Sequence, residues 1–113
     1  FINEDQLMKN ALKIINLKRL GFLVVTNSHG LTTGVFTDGD LKRLMRKKPN
    51  FDHFKIKNFM TKKPLCIEEN MLASEVLSMM NKKKITNICV YKKNNKQKTI
   101  GVLHIHDLLN NLR

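Results

Sequence analysis

The spacing of apolar residues predicts the same order of elements in two parts of the chain. In the first part, it predicts a helix that contains the apolar positions 7–15 and is ended by Gly21, strands over 22–25 and 33–36, and a helix over 38–45; residues 1–2 align with the first strand of the second part. In the second part, it predicts a strand over 66–67, a helix over 71–81, strands over 87–91 and 99–103, and a helix over 107–112. Turn residues at 27–30 favour a hairpin between the two strands of the first part.

An internal repeat accounts for this order. Residues 11–16 align with 76–81 at an offset of 65, and residues 34–36 align with 101–103 at an offset of 67. The two additional residues fall in the polar loop 92–98, where insertions cost little. We therefore expect an α/β (α+β) fold made of two strand–helix–strand–strand–helix units that pack with pseudo-twofold symmetry and leave clefts between them.

The repeat also sets the expected boundaries. The first copy takes residues 1–50, a linker takes 51–59, and the second copy takes 60–113. At the offset of 65, Cys66 aligns with Phe1, so the counterpart of Met60–Pro64 is expected ahead of Phe1. The first copy is thus expected to be clipped at its N-terminal end.

Composition and charge argue against a nucleic-acid-binding, membrane-spanning or secreted protein. The 113 residues carry 21 Lys and Arg against 9 Asp and Glu, a formal net charge of +12, but aromatic residues make up only 6%. Nucleic-acid sites rely on arginine and stacking aromatics, so this scattered lysine favours a solvated surface over a nucleic-acid face. The apolar runs are too short to span a membrane, and residues 1–5 lack the pattern of a secretory leader.

Cysteine usage and the missing catalytic motifs point to a non-catalytic, cytoplasmic module. Cys66 and Cys89 lie in apolar strings and are expected to be small buried hydrophobes in a reducing compartment, with a single disulfide as the alternative. The sequence contains no Cys-x-x-Cys, no nucleophile elbow and no P-loop. We therefore predict no catalytic residues and no metal site.

Two motifs carry a resemblance to a known family. Gly34–Leu41 reads Gly-Val-Phe-Thr-Asp-Gly-Asp-Leu and closes the first unit, and Met60–Pro64 reads Met-Thr-Lys-Lys-Pro and opens the second. With the repeat, they resemble a CBS-domain pair (a Bateman module) over essentially the whole chain. Phe36–Arg43 and Gly101–Leu109 are similar to the C-terminal CBS pair of bacterial D-arabinose-5-phosphate isomerases. That family joins this pair to an N-terminal sugar-isomerase (SIS) domain of the Kdo and lipopolysaccharide pathway, which interconverts ribulose 5-phosphate and arabinose 5-phosphate.

The resemblance implies ligand-binding residues at equivalent positions of the two copies. In the first copy these are Thr37 and Asp40, which would contact the ribose or phosphate of a nucleotide where a strand meets a helix N-terminus that favours an anion. The alternative is that Thr37 and Asp40 form a capping box and bind nothing. In the second copy the equivalents are His104 and Asp107; the histidine departs from the general CBS pattern, and its alternative role is a contact between domains.

The resemblance also implies partners. We expect an anionic small-molecule effector, a nucleotide or nucleotide-sugar, an upstream sugar-isomerase domain and a homodimer, with no nucleic acid and no membrane. No other cofactor is expected. The alternative function is a structural module that dimerises the same enzyme and binds no ligand.

Overall fold

The fold is a mixed α/β arrangement with two small sheets. A computed structural model describes residues 1–18, 21–47 and 50–111. In chain order, the elements are β1 (Ile2–Asn3), α1 (Met8–Lys18), β2 (Phe22–Thr26), β3 (Thr32–Thr37), α2 (Asp38–Lys47), a 3₁₀ turn (Ile56–Asn58), β4 (Thr61–Lys62), β5 (Cys66–Glu68), α3 (Ala73–Lys83), β6 (Asn87–Tyr91), β7 (Thr99–His104) and α4 (Ile105–Asn111).

The predicted order of strand, helix, strand, strand and helix is confirmed in both halves. The chain divides into two compact units, Phe1–Pro64 and Leu65–Arg113. Helix α3 begins two residues later than predicted, because the Met71 N–H donates to the Glu68 carbonyl and first closes a turn. The last helix begins at Ile105 rather than Asp107, and its predicted end at Leu112 lies outside the described residues.

The first unit holds a four-stranded sheet in the order β1-β2-β3-β4. Strand β1 runs parallel to β2, whereas β2 and β3 form an antiparallel hairpin. Strand β4 was not predicted; its two residues pair antiparallel with β3, with Thr61 opposite Val35 and Lys62 opposite Gly34. It therefore covers the outer edge of β3.

The second unit holds a three-stranded sheet in the order β5-β6-β7. Strand β5 runs parallel to β6, and β6 pairs antiparallel with β7. The hairpin repeats a detail of the first unit: its register shifts between Val90 and Tyr91, as the register of β2 shifts between Val25 and Thr26. The repeat therefore extends to the local irregularity of the strands.

Each unit buries an apolar cluster between its sheet and its helices. Matched positions fill both clusters, with Ile2 corresponding to Ile67 and Leu23 to Ile88. The larger cluster of the first unit also contains Phe36 and Ile56, both fully buried. The buried members of the first cluster are Ile2, Met8, Ala11, Ile15, Leu23, Val25, Phe36, Leu44 and Ile56; those of the second are Ile67, Val76, Met80, Ile88 and Leu108.

The segment 51–59, expected to link the two copies, packs against the first unit. Its 3₁₀ turn places Ile56 in the core, and the Ile56 N–H donates to the Gln6 carbonyl over 2.9 Å. The Met8 N–H in turn donates to the Phe54 carbonyl over 2.7 Å. The apolar residues of this segment, Phe51, Phe54, Ile56 and Phe59, are spaced by three, two and three positions, which matches neither a helix nor a strand, so the sequence pattern does not reveal this contact.

Candidate functional site

The junction between β3 and α2 presents the first pair of candidate residues. Strand β3 ends at Thr37 and α2 begins at the next residue, Asp38. Acidic side chains lie in the first turn of α2 and basic ones in its last turn, which complements the helix dipole. The strand therefore delivers Thr37 directly to the positive end of a helix.

Thr37 and Asp40 hydrogen-bond to each other reciprocally. The Thr37 N–H donates to Oδ2 of Asp40 over 2.9 Å, and the Asp40 N–H donates to Oγ1 of Thr37 over 3.1 Å. The Thr37 hydroxyl also lies 3.2 Å from Oδ2 of Asp40. This is the geometry of a capping box, which satisfies backbone donors at the start of α2.

Two further side chains converge on Asp40. The Thr61 hydroxyl, on β4, lies 2.9 Å from Oδ1 and 3.1 Å from Oδ2 of that carboxylate. The Arg43 guanidinium forms a salt bridge with Oδ1 from one helical turn away. The Asp40 side chain is only 4% exposed, whereas that of Arg43 is 60% exposed. A buried carboxylate is thus held by donors from a strand, a helix and the edge strand β4, consistent with the rule that a buried charge is paired.

Arg43 and Thr61 are the site residues that sequence reasoning missed. Arg43 lies three residues after Asp40, a spacing that brings side chains together on a helix, so this partner was within reach of the sequence pattern. Thr61 belongs to the Met60–Pro64 motif, but its link to Asp40 depends on the pairing of β4 with β3, which no local pattern specifies.

The junction between β7 and α4 presents the second pair in a different form. The His104 N–H donates to Oδ2 of Asp107 over 3.3 Å, and the His106 N–H donates to Nδ1 of His104 over 3.1 Å. The two imidazole rings stack with their centroids 4.8 Å apart. Asp107 is exposed, in contrast to Asp40. The His104 ring therefore caps the helix where Thr37 does so in the first unit.

The same backbone bond secures both junctions. The Asp38 N–H donates to the Gly21 carbonyl over 3.1 Å, and the equivalent Ile105 N–H donates to the Thr86 carbonyl over 2.8 Å. Gly21 packs closely against the helix start, because a Cβ built on it would lie 2.6 Å from a carboxylate oxygen of Asp38. The two junctions thus share their backbone hydrogen bonding but differ in the side chains that surround the aspartate.

The two cysteines are neighbours on parallel strands. Cys66 of β5 is the register partner of Cys89 of β6, and no disulfide joins the two residues. Burial raises the pKa of both groups, and the pKa of Cys89 rises to about 12, with the charge of Cys66 as the next cause. Both thiols are therefore held in the protonated, weakly nucleophilic form.

Within the described part of the chain, the structure shows neither a metal-binding cluster nor a membrane-spanning helix. No group of three or more His, Cys, Asp or Glu side chains in residues 1–18, 21–47 and 50–111 is placed to hold a metal ion. None of the helices in the same ranges combines the length and apolarity that crossing a bilayer requires.

Comparison with known proteins defines the class. The model of the CBS-domain family matches residues 1–47 and 56–113. The chain belongs to the CBS-domain family, and the two matched segments make it a CBS-domain pair. The resemblance seen in the Gly34–Leu41 and Met60–Pro64 motifs is confirmed.

Two relatives and one solved structure are similar over nearly the whole chain. The chain is 38% identical to uncharacterized protein RP505 of Rickettsia prowazekii and 32% identical to the arabinose 5-phosphate isomerase KdsD of Yersinia pestis, in each case over 96% of this chain and 32% of the relative. It therefore spans about a third of the length of these curated relatives. The solved CBSX2 protein in complex with AMP shares the fold, with a TM-score of 0.84, 19% identity, and coverage of 98% of this chain and 84% of that one.

Proposed function

We propose that this chain is the regulatory, ligand-binding CBS pair of an arabinose-5-phosphate isomerase and that it senses a nucleotide or nucleotide-sugar. Support comes from the 32% identity to an arabinose 5-phosphate isomerase and from the shared fold of a CBS protein in complex with AMP. In this proposal, an upstream sugar-isomerase domain performs the chemistry of the Kdo and lipopolysaccharide pathway in the cytoplasm. The present chain binds the effector and is not itself catalytic.

The observation that carries the proposal is the group of donors around Asp40. The Thr37 and Thr61 hydroxyls and the Arg43 guanidinium meet at the start of α2, and most of the Arg43 side chain faces solvent. A guanidinium beside a helix N-terminus favours a phosphate, and a carboxylate in hydrogen-bond reach of the same position accepts from ribose hydroxyls. The arrangement therefore suits a nucleotide better than an uncharged ligand.

Binding at Asp40 supplies a route for regulation. A ribose hydroxyl that donates to Asp40 competes with Thr61, and a phosphate competes with Asp40 for Arg43. Because the Thr61 hydroxyl ties β4 to Asp40 of α2, in addition to the pairing of β4 with β3, the effector and the position of β4 become coupled through one carboxylate. Useful coupling energies between sites are about 1–3 kcal/mol, which is comparable with one hydrogen bond to a charged group.

The second half contributes His104 and Asp107 in this proposal. Asp107 is exposed and offers its carboxylate at the rim, and the imidazole of His104 takes the place of the threonine hydroxyl. A histidine stacks beside a base or donates to a phosphate, so this half would bind a ligand differently from the first.

A thermal-shift screen with AMP, ADP, ATP, CMP and CMP-Kdo tests the function. At about one hundred times its Kd, a bound nucleotide stabilises the folded state by about 2.7 kcal/mol, which gives a clear rise in Tm. Asp40→Asn should abolish most of the ligand-induced rise while Asp38→Asn, an exposed acid of the same helical turn, keeps it. For the second half, Asp107→Asn is matched with Glu75→Gln, an exposed acid of α3.

The second candidate function is a dimerisation module that binds nothing. Exposed apolar side chains favour it, since Phe1, Met45 and Leu72 are 64%, 59% and 63% exposed. No Tm shift with any of the five nucleotides, together with a ligand-independent dimer in analytical ultracentrifugation, would establish this function instead. A rise in Tm that Asp40→Asn leaves intact would place the ligand elsewhere.

A further inference from the structure

The two cysteines of the chain form one cross-strand pair. Cys66, the first residue of β5, is the register partner of Cys89 in β6, on the neighbouring parallel strand of the second sheet. At the offset of 65, the same positions of the first unit hold Phe1 and Val24. The pair is therefore a feature of the second unit and not of the repeat, so the fold of a CBS unit does not depend on thiols at these positions.

Both cysteine side chains lie on the same face of the sheet. Successive residues of a strand point to opposite faces, and Ile67 and Ile88, which adjoin the cysteines in sequence, belong to the apolar cluster of the second unit. Cys66 and Cys89 therefore both point to the face opposite that cluster. There the Cys89 thiol donates a hydrogen bond to Sγ of Cys66, so the two sulfur atoms are already in contact.

The spacing of the strands permits a bond between the two sulfur atoms. Neighbouring strands lie about 4.7–4.9 Å apart, and residues joined by a disulfide have Cα atoms about 4.4–6.8 Å apart. Their Cβ atoms approach to about 3.8 Å, so β5 has to move slightly toward β6. Strand β5 has three residues and lies at the edge of its sheet, which makes this movement a small one. A bond that needs such a movement stays open to reduction by thiols.

The two thiols differ in access and in electrostatic environment. Cys89 is fully buried, whereas Cys66 is only partly buried. Burial raises the pKa of Cys66, but the hydrogen bond from Cys89 and the positive charge of Lys96 oppose that rise. Burial raises the pKa of Cys89 to about 12. Cys66 is therefore the thiol that an oxidant reaches first, and Cys89 lies in position to react with it afterwards.

We propose that Cys66 and Cys89 form a reversible oxidation site, which a small-molecule disulfide such as glutathione disulfide converts to a bond between β5 and β6. Sγ of Cys66, as the thiolate, attacks one sulfur of the small disulfide and expels a thiolate, which takes up the proton that Cys66 has lost. Sγ of Cys89 then attacks Sγ of Cys66 in the mixed disulfide, and its proton passes to the second departing thiolate. One small disulfide is reduced to two thiols, and the two cysteines are oxidised to one disulfide.

Contact between the sulfur atoms favours the second step. Because both thiols are mostly protonated at neutral pH, the attack on the oxidant is slow, but groups held in contact react with effective concentrations of about 10⁵ M or more. A mixed disulfide on Cys66 is therefore short-lived. The pair rests as two thiols in a reducing glutathione pool and closes when that pool becomes oxidised, which fixes the start of β5 to β6. This inference does not depend on the effector proposed above.

Equilibration of the folded chain with oxidised and reduced glutathione at about pH 8 tests the proposal. We expect the intact mass to fall by two hydrogen atoms, peptide mapping to join Cys66 to Cys89, and dithiothreitol to reverse the change. Because the closed loop restricts the unfolded chain, the Tm of the oxidised chain should rise by about 4 °C or more. Amide exchange in β5 should slow by about tenfold, while that of β2 stays unchanged.

Single substitutions separate the two roles. In Cys89→Ala, no thiol resolves the mixed disulfide, so the chain should keep one glutathione on Cys66 without a rise in Tm. In Cys66→Ala, the buried Cys89 should stay unmodified until urea unfolds the chain, and its modification in the folded chain would overturn the proposed order. The proposal is also overturned if the wild-type chain keeps both thiols, stops at the mixed disulfide, forms disulfides only between chains, or melts at a lower temperature once closed.

Discussion

The β3–α2 and β7–α4 junctions share a backbone and differ in chemistry. In both junctions, the first N–H of the helix donates to the backbone carbonyl of the residue that directly precedes the hairpin. Asp40 is nevertheless buried among several donors, whereas Asp107 is exposed. The difference follows from three positions: threonine against histidine at the helix start, Arg43 against Asn110 one turn further along the helix, and Thr61 on a covering strand. A duplicated backbone can therefore carry one closed and one open site.

The largest effect that distinguishes the junctions should come from the two aspartates. Asp40→Ala removes the acceptor for Thr37, Thr61 and Arg43 and should lower the free energy of unfolding by about 2–3 kcal/mol. Asp107→Ala, in an exposed position, should change it by about 0.5 kcal/mol or less. Urea unfolding of both variants measures the contrast. Equal losses would mean that the first junction is no more tightly held than the second.

The matched glycines give the next largest contrast. Gly34→Ala forces β4 away from β3, because the Thr61 carbonyl oxygen belongs to the backbone and cannot rotate aside. Overpacking of this kind costs about 1–3 kcal/mol. The same substitution at Gly101 meets open space and should be close to neutral. Differential scanning calorimetry of the two variants decides the point, and a destabilised Gly101→Ala would show that the edge of β7 is already covered.

Replacing the histidine cap should produce a small gain. His104→Thr installs in the second unit the residue that caps α2 in the first, and threonine is among the preferred N-cap residues. Since Nδ1 of His104 already accepts from the His106 N–H, we expect a gain of only about 0.5 kcal/mol. Chemical unfolding against the wild-type chain measures it. A loss of stability would show that the stacked His104 and His106 rings contribute more than the cap.

The smallest expected effect concerns the two cysteines, whose labelling measures the accessibility of the second unit without a mutation. At the offset of 65, Cys66 and Cys89 correspond to Phe1 and Val24, so thiol labelling reports on the second unit alone. The pKa of Cys89, raised to about 12, keeps its thiolate rare in the folded chain, and iodoacetamide should label it at pH 8.5 only after urea is added.

The same shift fixes the direction of the pH effect. Because the folded pKa lies above the ordinary value of about 9, the contribution of Cys89 to stability is complete below pH 9 and is lost as pH rises towards 12. Rapid labelling of Cys89 in the folded chain at pH 8.5 would contradict its buried position between β5 and β7.

Most of the fold was within reach of the sequence, because long elements carry periodicity. Helix α2 and strands β2, β3, β6 and β7 were predicted to within one or two residues, since apolar positions recur along the helix and the strands are apolar runs bounded by turn residues. Strand β4 was not predicted, because two exposed residues carry no alternation and pair only once β3 is in place. The 3₁₀ turn that buries Ile56 was not predicted either, because its three residues are too short to show a helical period.

The residues of the candidate site also separate into those that a local sequence pattern indicates and those that it does not. Thr37 and Asp40 were proposed as site residues through the resemblance carried by the Gly34–Leu41 motif. Their local spacing predicted only the capping box, in which the structure brings their side chains together. Thr61 lies 21 positions from Asp40, and only the sheet joins them. The sequence also could not indicate that Asp107 would be exposed, because the burial of a carboxylate depends on neighbours that are distant along the chain.

Strand β4 also sets the length of the tether between the two units. While Thr61 and Lys62 are paired with β3, only Lys63, Pro64 and Leu65 connect that sheet to β5, a reach of about 10 Å when extended. If β4 detaches, Thr61 and Lys62 join the connection and its reach grows by about 7 Å. The pairing of β4 with β3, to which the Thr61 hydroxyl adds one bond to Asp40, thus limits the length of free chain between the two sheets.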